Sequence, residues 1–148
     1  RCPRIKPKEN FVERFFELSF DNVEYNLKGV IDIVTEDKVI LDYKVVARSQ
    51  SAEEIETDPQ LYIYGIGYKA LTDEYPSQLR FDFLKRTKEP EIDKHIFKDV
   101  SEQKFLLILK RLGKIAEAIK TGIFYPIQYH PAVCSWCGYY DRCKEGKY

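Results

Sequence analysis

Two apolar runs in the first third of the chain predict a β-hairpin. Residues 27–34 and 39–46 are rich in Val, Ile and Leu, and a short polar connector, residues 35–38, joins them. Apolar runs rich in β-branched residues and separated by a polar turn are typical of paired antiparallel strands. Period-two alternation predicts three further strands, at residues 11–20, 79–84 and 95–97.

Helical spacing of apolar residues predicts two helices. The first occupies residues 58–72, with Asp58 as its N-cap and Pro59 at its first position. The second occupies residues 101–121 and ends at Gly122. Residues 47–57 are polar and are expected to form a loop that runs into the first helix. The elements together predict an α/β domain with a sheet flanked by helices.

Three charged residues interrupt the apolar hairpin. Alternation puts Asp42 and Lys44 on one face of the second strand, and it puts Asp32 on the same face as Val30 and Val34. A carboxylate on an apolar face loses hydration, and this loss costs free energy unless a positive charge compensates it. The hairpin therefore carries two acids and a lysine that need an explanation.

A divalent metal would compensate both acids. Paired carboxylates suit Mg²⁺ or Mn²⁺, which keep coordination positions for water and for a phosphate group. Lys44 would then lie beside the metal, where an ammonium group can orient a water and offset charge on a phosphate under attack. Asp42 and Lys44 as a rim ion pair, with Asp32 capping a turn, is an equally open interpretation of the hairpin alone.

The predicted first helix carries a second candidate pair. Gln60 and Tyr64 are four residues apart, so they share one helix face and could both reach toward the hairpin acids. The alternative is that Tyr64 packs in the core and Gln60 faces solvent.

Composition sets the frame for these features. The chain has 148 residues, of which 44% are hydrophobic and 14% aromatic, which predicts a single globular domain. Its 24 basic and 24 acidic residues balance, so any nucleic-acid binding must be local. No run is long enough to span a membrane and no signal peptide is evident, so we expect a cytoplasmic protein. Because the chain contains no Met, we expect a processed product, an excised domain or a chain whose earlier residues are not included.

Cysteines cluster near the C-terminus, within residues 123–148. Cys134, Cys137 and Cys143 form a C-x2-C-x5-C array, and Cys2 is the only other thiol. Such close thiols are poorly placed for independent disulfides, so metal ligation is favoured. Four thiolates suit either zinc or an iron-sulfur cluster, and the alternative is an incomplete triplet with Cys2 as a stray thiol.

Taken in order, these motifs resemble the RecB-like nucleases of the PD-(D/E)XK superfamily. The matching residues are Gly29-Val-Ile-Asp32, Ile40-Leu-Asp42-Tyr-Lys44, Gln60-Leu-Tyr-Ile-Tyr64 and the three C-terminal cysteines. Order and spacing are most similar to the CRISPR-associated RecB-like exonucleases and to AddB nuclease domains, which hold a 4Fe-4S cluster. The resemblance covers residues 13–143 and implies a restriction-endonuclease-like core with a mixed sheet.

The resemblance implies a role for each matching residue. Asp32 and Asp42 would ligate Mg²⁺ or Mn²⁺, the backbone carbonyl of Tyr43 would add a ligand, and Lys44 would position or activate the attacking water. Gln60 and Tyr64 would form the motif that supports the site and contacts the substrate strand. Glu13 would be the acid at the first strand. The iron-sulfur ligands would be Cys2, Cys134, Cys137 and Cys143.

The chain also departs from the family pattern. Many relatives carry a His on a helix before the first strand, whereas the histidines here are His95 and His130. Only eight residues separate Cys2 from Phe11, where the first strand is expected to begin, and no substantial helix fits there. The N-terminal helix is therefore expected to be absent, divergent or supplied elsewhere.

The expected function is a metal-dependent DNA nuclease, an exonuclease on single-stranded ends, in recombination, repair or CRISPR adaptation. The expected partners are DNA and a larger DNA-processing complex or a second copy of the chain. The alternatives are a non-catalytic nucleic-acid-binding or assembly module that retains the fold, and a zinc-stapled interaction domain. Basic pairs at residues 85–86 and 110–111 are candidate DNA contacts, with plain solvation as the alternative for each.

Overall fold

The computed structural model describes residues 12–19, 26–47, 50–86, 91–123 and 130–145. In these parts of the chain there are five strands and five helices, which include the two helices that the sequence predicts. The strands are β1 Val12–Ser19, β2 Asn26–Val34, β3 Val39–Val46, β4 Gln78–Lys85 and β5 Glu91–Ile96. The helices are α1 Ala52–Thr57, α2 Gln60–Thr72, α3 Glu102–Lys120, α4 Pro131–Cys134 and α5 Tyr140–Lys144.

The strands form one mixed sheet in the order β1-β2-β3-β4-β5. Neighbouring strands are antiparallel except β3 and β4, which run parallel, with α1 and α2 in the connection between them. This confirms the expected restriction-endonuclease-like core of a mixed sheet with flanking helices. Among the described residues, no helix is long and apolar enough to cross a bilayer.

The hairpin formed by β2 and β3 pairs over a short length. Its register joins Ile33 with Leu41 and Val34 with Ile40, and beyond these pairs the two strands separate. Alternation in β2 breaks at the same place, because Ile31 and Val34 are both buried whereas Val30 is 42% exposed. The expectation that Val30 and Val34 share one face is therefore wrong.

Residues 47–57 are not simply a loop. Ser51 caps α1 with a complete capping box, in which the Ser51 side chain accepts from the Glu54 amide and the Glu54 side chain accepts from the Ser51 amide. This reciprocal pairing satisfies two free amides and allows a helix of only six residues to form. The N-cap of α2 is Pro59 and not Asp58, although the Asp58 side chain still accepts from the Gln60 amide at 2.8 Å.

Helix α2 packs closely against its neighbours at two glycines. A side chain at Gly67 would meet the ring of Phe16 at 2.5 Å, and one at Gly65 would meet the ring of Phe105 at 2.3 Å. Phe16 belongs to β1 and Phe105 to α3, so both glycines let an aromatic ring approach the α2 backbone closely. Helix α3 begins at its N-cap Ser101, as predicted, and packs against α2.

Candidate active site

Asp42 and Lys44 project from β3 toward α2. Asp42 is 1% exposed, and its Oδ2 lies 3.0 Å from Nζ of Lys44. Lys44 Nζ also lies 5.4 Å from the centre of the Phe81 ring on the neighbouring strand β4. The two residues thus form an ion pair at the edge of the core, with only the lysine partly open to solvent.

Gln60, at the first position of α2, joins the acid, the lysine and the tyrosine. Its Oε1 accepts from Lys44 Nζ at 2.6 Å, while its Nε2 donates to Asp42 Oδ1 at 3.1 Å and to Tyr64 Oη at 2.9 Å. The side-chain oxygen can only accept and the amide nitrogen can only donate, so these partners fix which way the amide faces. The expectation that Gln60 reaches the hairpin is confirmed, and Tyr64 is connected to the hairpin acids through Gln60.

Asp32 lies on β2 beside Asp42. Burial raises the pKa of Asp42 to about 6; the Lys44 ammonium opposes this rise, and a hydrogen bond to Asp32 and its charge add to it. Two carboxyl groups in hydrogen-bonding contact repel each other when both are ionised, which favours a proton on Asp42 when no cation is present. A divalent cation could replace that proton, and the hard oxygen donors of this pair fit Mg²⁺ or Mn²⁺.

The backbone of Tyr43 faces the gap between β2 and β3. The Thr35 amide donates to the Val39 carbonyl at 3.0 Å, so the backbone groups of Val39 point toward β2. Backbone groups on every second residue of a strand point the same way, which directs the carbonyls of Leu41 and Tyr43 toward the β2 side. Tyr43 lies past the last paired residue of β3, next to Asp42.

Glu13 is near the site in the sheet but is not joined to it by the described contacts. The pairs Val12 with Ile33 and Arg14 with Ile31 place Glu13 opposite Asp32. Glu13 is exposed and its φ angle is +52°, a left-handed conformation that is unusual for a residue with a side chain. Within the described ranges no three His, Cys, Asp or Glu side chains are grouped so that they could hold a metal ion.

The C-terminal thiols lie in a compact local segment. Cys134 ends α4, Cys143 is in α5, and Cys137 follows a turn in which its amide donates to the Cys134 carbonyl at 3.2 Å. The His130 amide donates to Cys134 Sγ at 3.3 Å, and all three thiols are free. Cys2 lies outside the described residues, so the four-thiolate site stays a prediction.

A cavity of about 180 Å³ beside Lys44 was not anticipated from the sequence. Its walls come from β3, β4 and the α1 region, including Gln50, Ile55 and Phe83. The sequence signal for this wall was the Ser51-x-x-Glu54 capping box, which marks the start of α1. Lys44 lines this cavity, so the cavity has room for a group that contacts the lysine.

Comparison with known proteins gives one family and two similar structures. The family model of the PD-(D/E)XK nuclease superfamily matches residues 3–144, while no curated protein matches. A candidate exonuclease from Eubacterium rectale is 17% identical with a TM-score of 0.59, and the alignment covers 88% of this chain and 51% of that one.

The structure of SSO0001 is 14% identical with a TM-score of 0.52, and the alignment covers 95% of this chain and 63% of that one. The chain thus spans about half the length of the first protein and under two thirds of the second. At these identities the two structures support the fold, and the family model covers nearly the whole sequence. The chain belongs to the PD-(D/E)XK nuclease superfamily.

Proposed function

We propose that this chain is a metal-dependent deoxyribonuclease that acts on single-stranded DNA ends as an exonuclease. The observation that carries the proposal is the hydrogen-bonded group of Asp42, Lys44 and Gln60, with Asp32 and Tyr64 in contact with it. A purely structural ion pair of Asp42 and Lys44 would need neither the second acid, Asp32, nor a helix residue that holds the lysine.

Each residue has a defined task in this proposal. Asp32, Asp42 and the Tyr43 carbonyl would hold Mg²⁺ or Mn²⁺, which when bound supplies positive charge that binds and polarises the phosphate. Lys44 donates to Gln60 and forms an ion pair with Asp42, and its ammonium can also orient a water or contact a phosphate oxygen. Because the ammonium is held at both contacts, it loses little further freedom when substrate binds.

Cleavage of single-stranded DNA with Mn²⁺ tests the proposal. The wild type is compared with Asp42→Ala and Lys44→Ala, and with Lys114→Ala as a control on the exposed face of α3. We expect both site variants to lose at least about a hundredfold in rate, because each removes charge that acts on the phosphate. Activity that survives both site substitutions unchanged would refute the proposed site.

End-labelled and circular single-stranded DNA separate exonuclease from endonuclease action. An exonuclease degrades the linear strand progressively and leaves the circle intact. Cleavage of both substrates at equal rates would refute the exonuclease proposal while leaving the nuclease proposal in place. DNA binding without any metal-dependent cleavage would favour a non-catalytic binding module.

We further propose that Cys134, Cys137 and Cys143, with Cys2, hold an iron-sulfur cluster. What supports it is three free thiols within one short segment and a fourth thiol elsewhere in the chain. Iron, zinc and sulfide content of anaerobically purified protein is the test, with Cys137→Ser as the matched variant. Zinc without iron would indicate a structural zinc site in place of the cluster. Absence of both metals would refute the proposal.

A further inference from the structure

The cavity beside Lys44 lies at the carboxyl ends of the two parallel strands. Lys44 and Val46, both among the last three residues of β3, form part of its wall together with Phe83, which pairs with Lys44 in the sheet register. Helix α1 contributes Ile55. Ligands of open α/β sheets commonly bind outside the carboxyl ends of parallel strands. The cavity therefore lies where a sheet of this kind offers a binding position.

Lys44 connects the cavity to the proposed metal site. Its ammonium lies 2.6 Å from Gln60 Oε1 and 3.0 Å from Asp42 Oδ2, and the same side chain lines the cavity. A phosphate that contacts this ammonium therefore has the cavity directly beside it. A group of the substrate that enters the cavity must then belong to the nucleotide that carries this phosphate or to its neighbour.

The size and the apolar wall of the cavity suit one flat ring. Its volume of about 180 Å³ corresponds to about six water molecules and is below the range of about 300–1,000 Å³ for drug-sized ligands. Ile55, Phe81 and Phe83 line it and are themselves buried, so they supply apolar surface. A single base has apolar faces and a comparable size, whereas two nucleotides would not fit.

The charges of the wall disfavour a second phosphate. Glu54 and Asp58 line the cavity along with Lys44, and the ammonium of Lys44 is already paired with Asp42. A phosphodiester in the cavity would meet two carboxylates, and opposed like charges are unfavourable. An uncharged group with N–H donors would instead find acceptors. The wall therefore favours a base over the strand backbone.

Asp58 is the acceptor that can distinguish one base from another. Its Oδ1 accepts from the Gln60 amide at 2.8 Å, which holds the carboxylate at the start of α2. A carboxylate has about four acceptor positions, so this bond leaves capacity for a donor in the cavity. An ionised carboxylate cannot donate, so it favours an amino group over a carbonyl group. Cytosine carries an amino group where thymine and uracil carry a carbonyl.

We propose that this cavity binds one unpaired base of the substrate strand, next to the phosphate that Lys44 contacts, and that Asp58 favours a base with an amino group. The proposal rests on the proposed function as far as the ligand is a DNA strand, and it adds a base preference to it. Enzymes that hold an extruded base place apolar side chains on its faces and polar groups at its edge. A base inside the cavity cannot be paired, which agrees with a single-stranded substrate.

Two oligonucleotides that differ only in one functional group per base test the proposal. Labelled strands of about 20 nucleotides contain either deoxycytidine or deoxyuridine throughout, so that each amino group of the first is a carbonyl in the second. Binding is measured by fluorescence anisotropy at neutral pH in EDTA, which prevents metal-dependent cleavage. We expect the wild type to bind the deoxycytidine strand about tenfold more tightly, because a hydrogen bond to a charged acceptor is lost with deoxyuridine. Equal affinity for the two strands, or no binding of either, would overturn the proposal.

Asp58→Asn assigns the preference to one residue. Asparagine keeps an oxygen that can accept from the Gln60 amide, but it replaces the other carboxylate oxygen by an amino donor. We expect the affinity ratio of the two strands to fall from about tenfold to about one. Asp73→Asn is the matched control, because it makes the same charge change at the far end of α2, in a left-handed conformation that asparagine tolerates. A ratio that persists in Asp58→Asn, or that falls equally in Asp73→Asn, would refute the role of Asp58.

The base cavity and the nuclease activity fail in different ways. A preference for deoxycytidine in EDTA that Asp58→Asn removes, without any cleavage in Mn²⁺, would retain the base cavity and reject the nuclease activity. Cleavage that Asp42→Ala abolishes, with equal binding of the two strands by the wild type, would retain the nuclease and reject the base cavity.

Discussion

Substitution of Gly67 by Ala should destabilise the protein even though alanine is the better helix former. The Phe16 ring is enclosed lengthwise between two glycines: an added Cβ at Gly67 would lie 2.5 Å from Cγ, and one at Gly29 would lie 2.5 Å from Cζ. The ring therefore cannot retreat from α2 without meeting β2. Phe16 is 1% exposed, so it cannot rotate into solvent either.

The size of the effect follows from two opposing terms. Replacing glycine by alanine inside a helix gains about 1 kcal/mol. Forcing a methyl group into a filled core costs about 1–3 kcal/mol, and an approach of 2.5 Å to an enclosed ring places the cost at the upper end. We therefore expect Gly67→Ala to lower the free energy of unfolding by about 2 kcal/mol.

Urea unfolding followed by far-UV circular dichroism measures this change. Phe16→Leu removes the ring, and in that background we expect Gly67→Ala to be neutral or stabilising by up to about 1 kcal/mol. The double-mutant cycle should give a coupling energy of about 2–3 kcal/mol, as expected for residues in direct contact. Gly138→Ala is the control, because no atom lies within 4 Å of an added Cβ at that position.

Two outcomes would refute this reasoning. If Gly67→Ala stabilises the wild type, the ring does not pack against the α2 backbone. If the substitution is equally harmful with and without the Phe16 ring, the cost comes from another contact. Because Phe16 also meets Tyr64 edge-on, with ring centres 6.5 Å apart, a displaced ring should lower cleavage activity in the same variant.

Three further predictions concern the site and its support. Burial raises the pKa of Asp42 from 3.8 to about 6, so the folded state binds this proton more tightly than the unfolded state. The stabilisation from this proton is complete below about pH 4 and is lost above about pH 6. Asp42→Asn never ionises, so its free energy of unfolding relative to wild type should rise by about 2–3 kcal/mol between about pH 4 and pH 8 in EDTA. A difference in urea unfolding that does not change with pH would show that the carboxylate is solvated. Gln60→Ala should reduce metal-dependent cleavage about 10- to 100-fold, because it frees the Lys44 ammonium and the Asp42 Oδ1 atom. Tyr64→Phe removes a single hydroxyl and should reduce the cleavage rate less. Equal losses of rate would contradict a bridging role for Gln60. Ser101→Ala should lower the free energy of unfolding by about 1 kcal/mol, since it removes the acceptor of the Lys104 amide at the start of α3, and no change in the urea midpoint would mean that this cap is frayed in solution.

Much of the fold could be predicted because several elements carry strong periodic patterns. Helix α3 and strand β4 have the spacing that distinguishes a half-buried helix or strand, and both lie within two residues of the predicted bounds. The meeting of Gln60 with Asp42 could also be predicted, since a helix after β3 that packs on the sheet brings its first turn over the strand. Sequence spacing alone was enough for these contacts because few arrangements bury the same faces.

Other features depend on packing that no local pattern records. Gly65 and Gly67 weaken a helix prediction, yet each is the place where an aromatic ring from another element meets the α2 backbone. The break of alternation in β2 depends on where two strands diverge, which tertiary packing decides. Helix α1 is short, and only its capping box distinguishes it from the polar loop that was expected.

The separation of β2 from β3 has a consequence for motion. Asp32 and Asp42 belong to two hydrogen-bonded units, the β1–β2 ribbon and the β3–β5 sheet, and in the described residues the ladder between these units is limited to two pairs next to the turn that joins Thr35 with Val39. Cooperative opening of the ribbon would expose its amides to hydrogen exchange while those of β4 stay protected. Opening of that kind would take the two acids apart without unfolding the molecule. A cation bound by both acids would close it, so slower exchange in β1 and β2 would report site occupancy before any bond is cut.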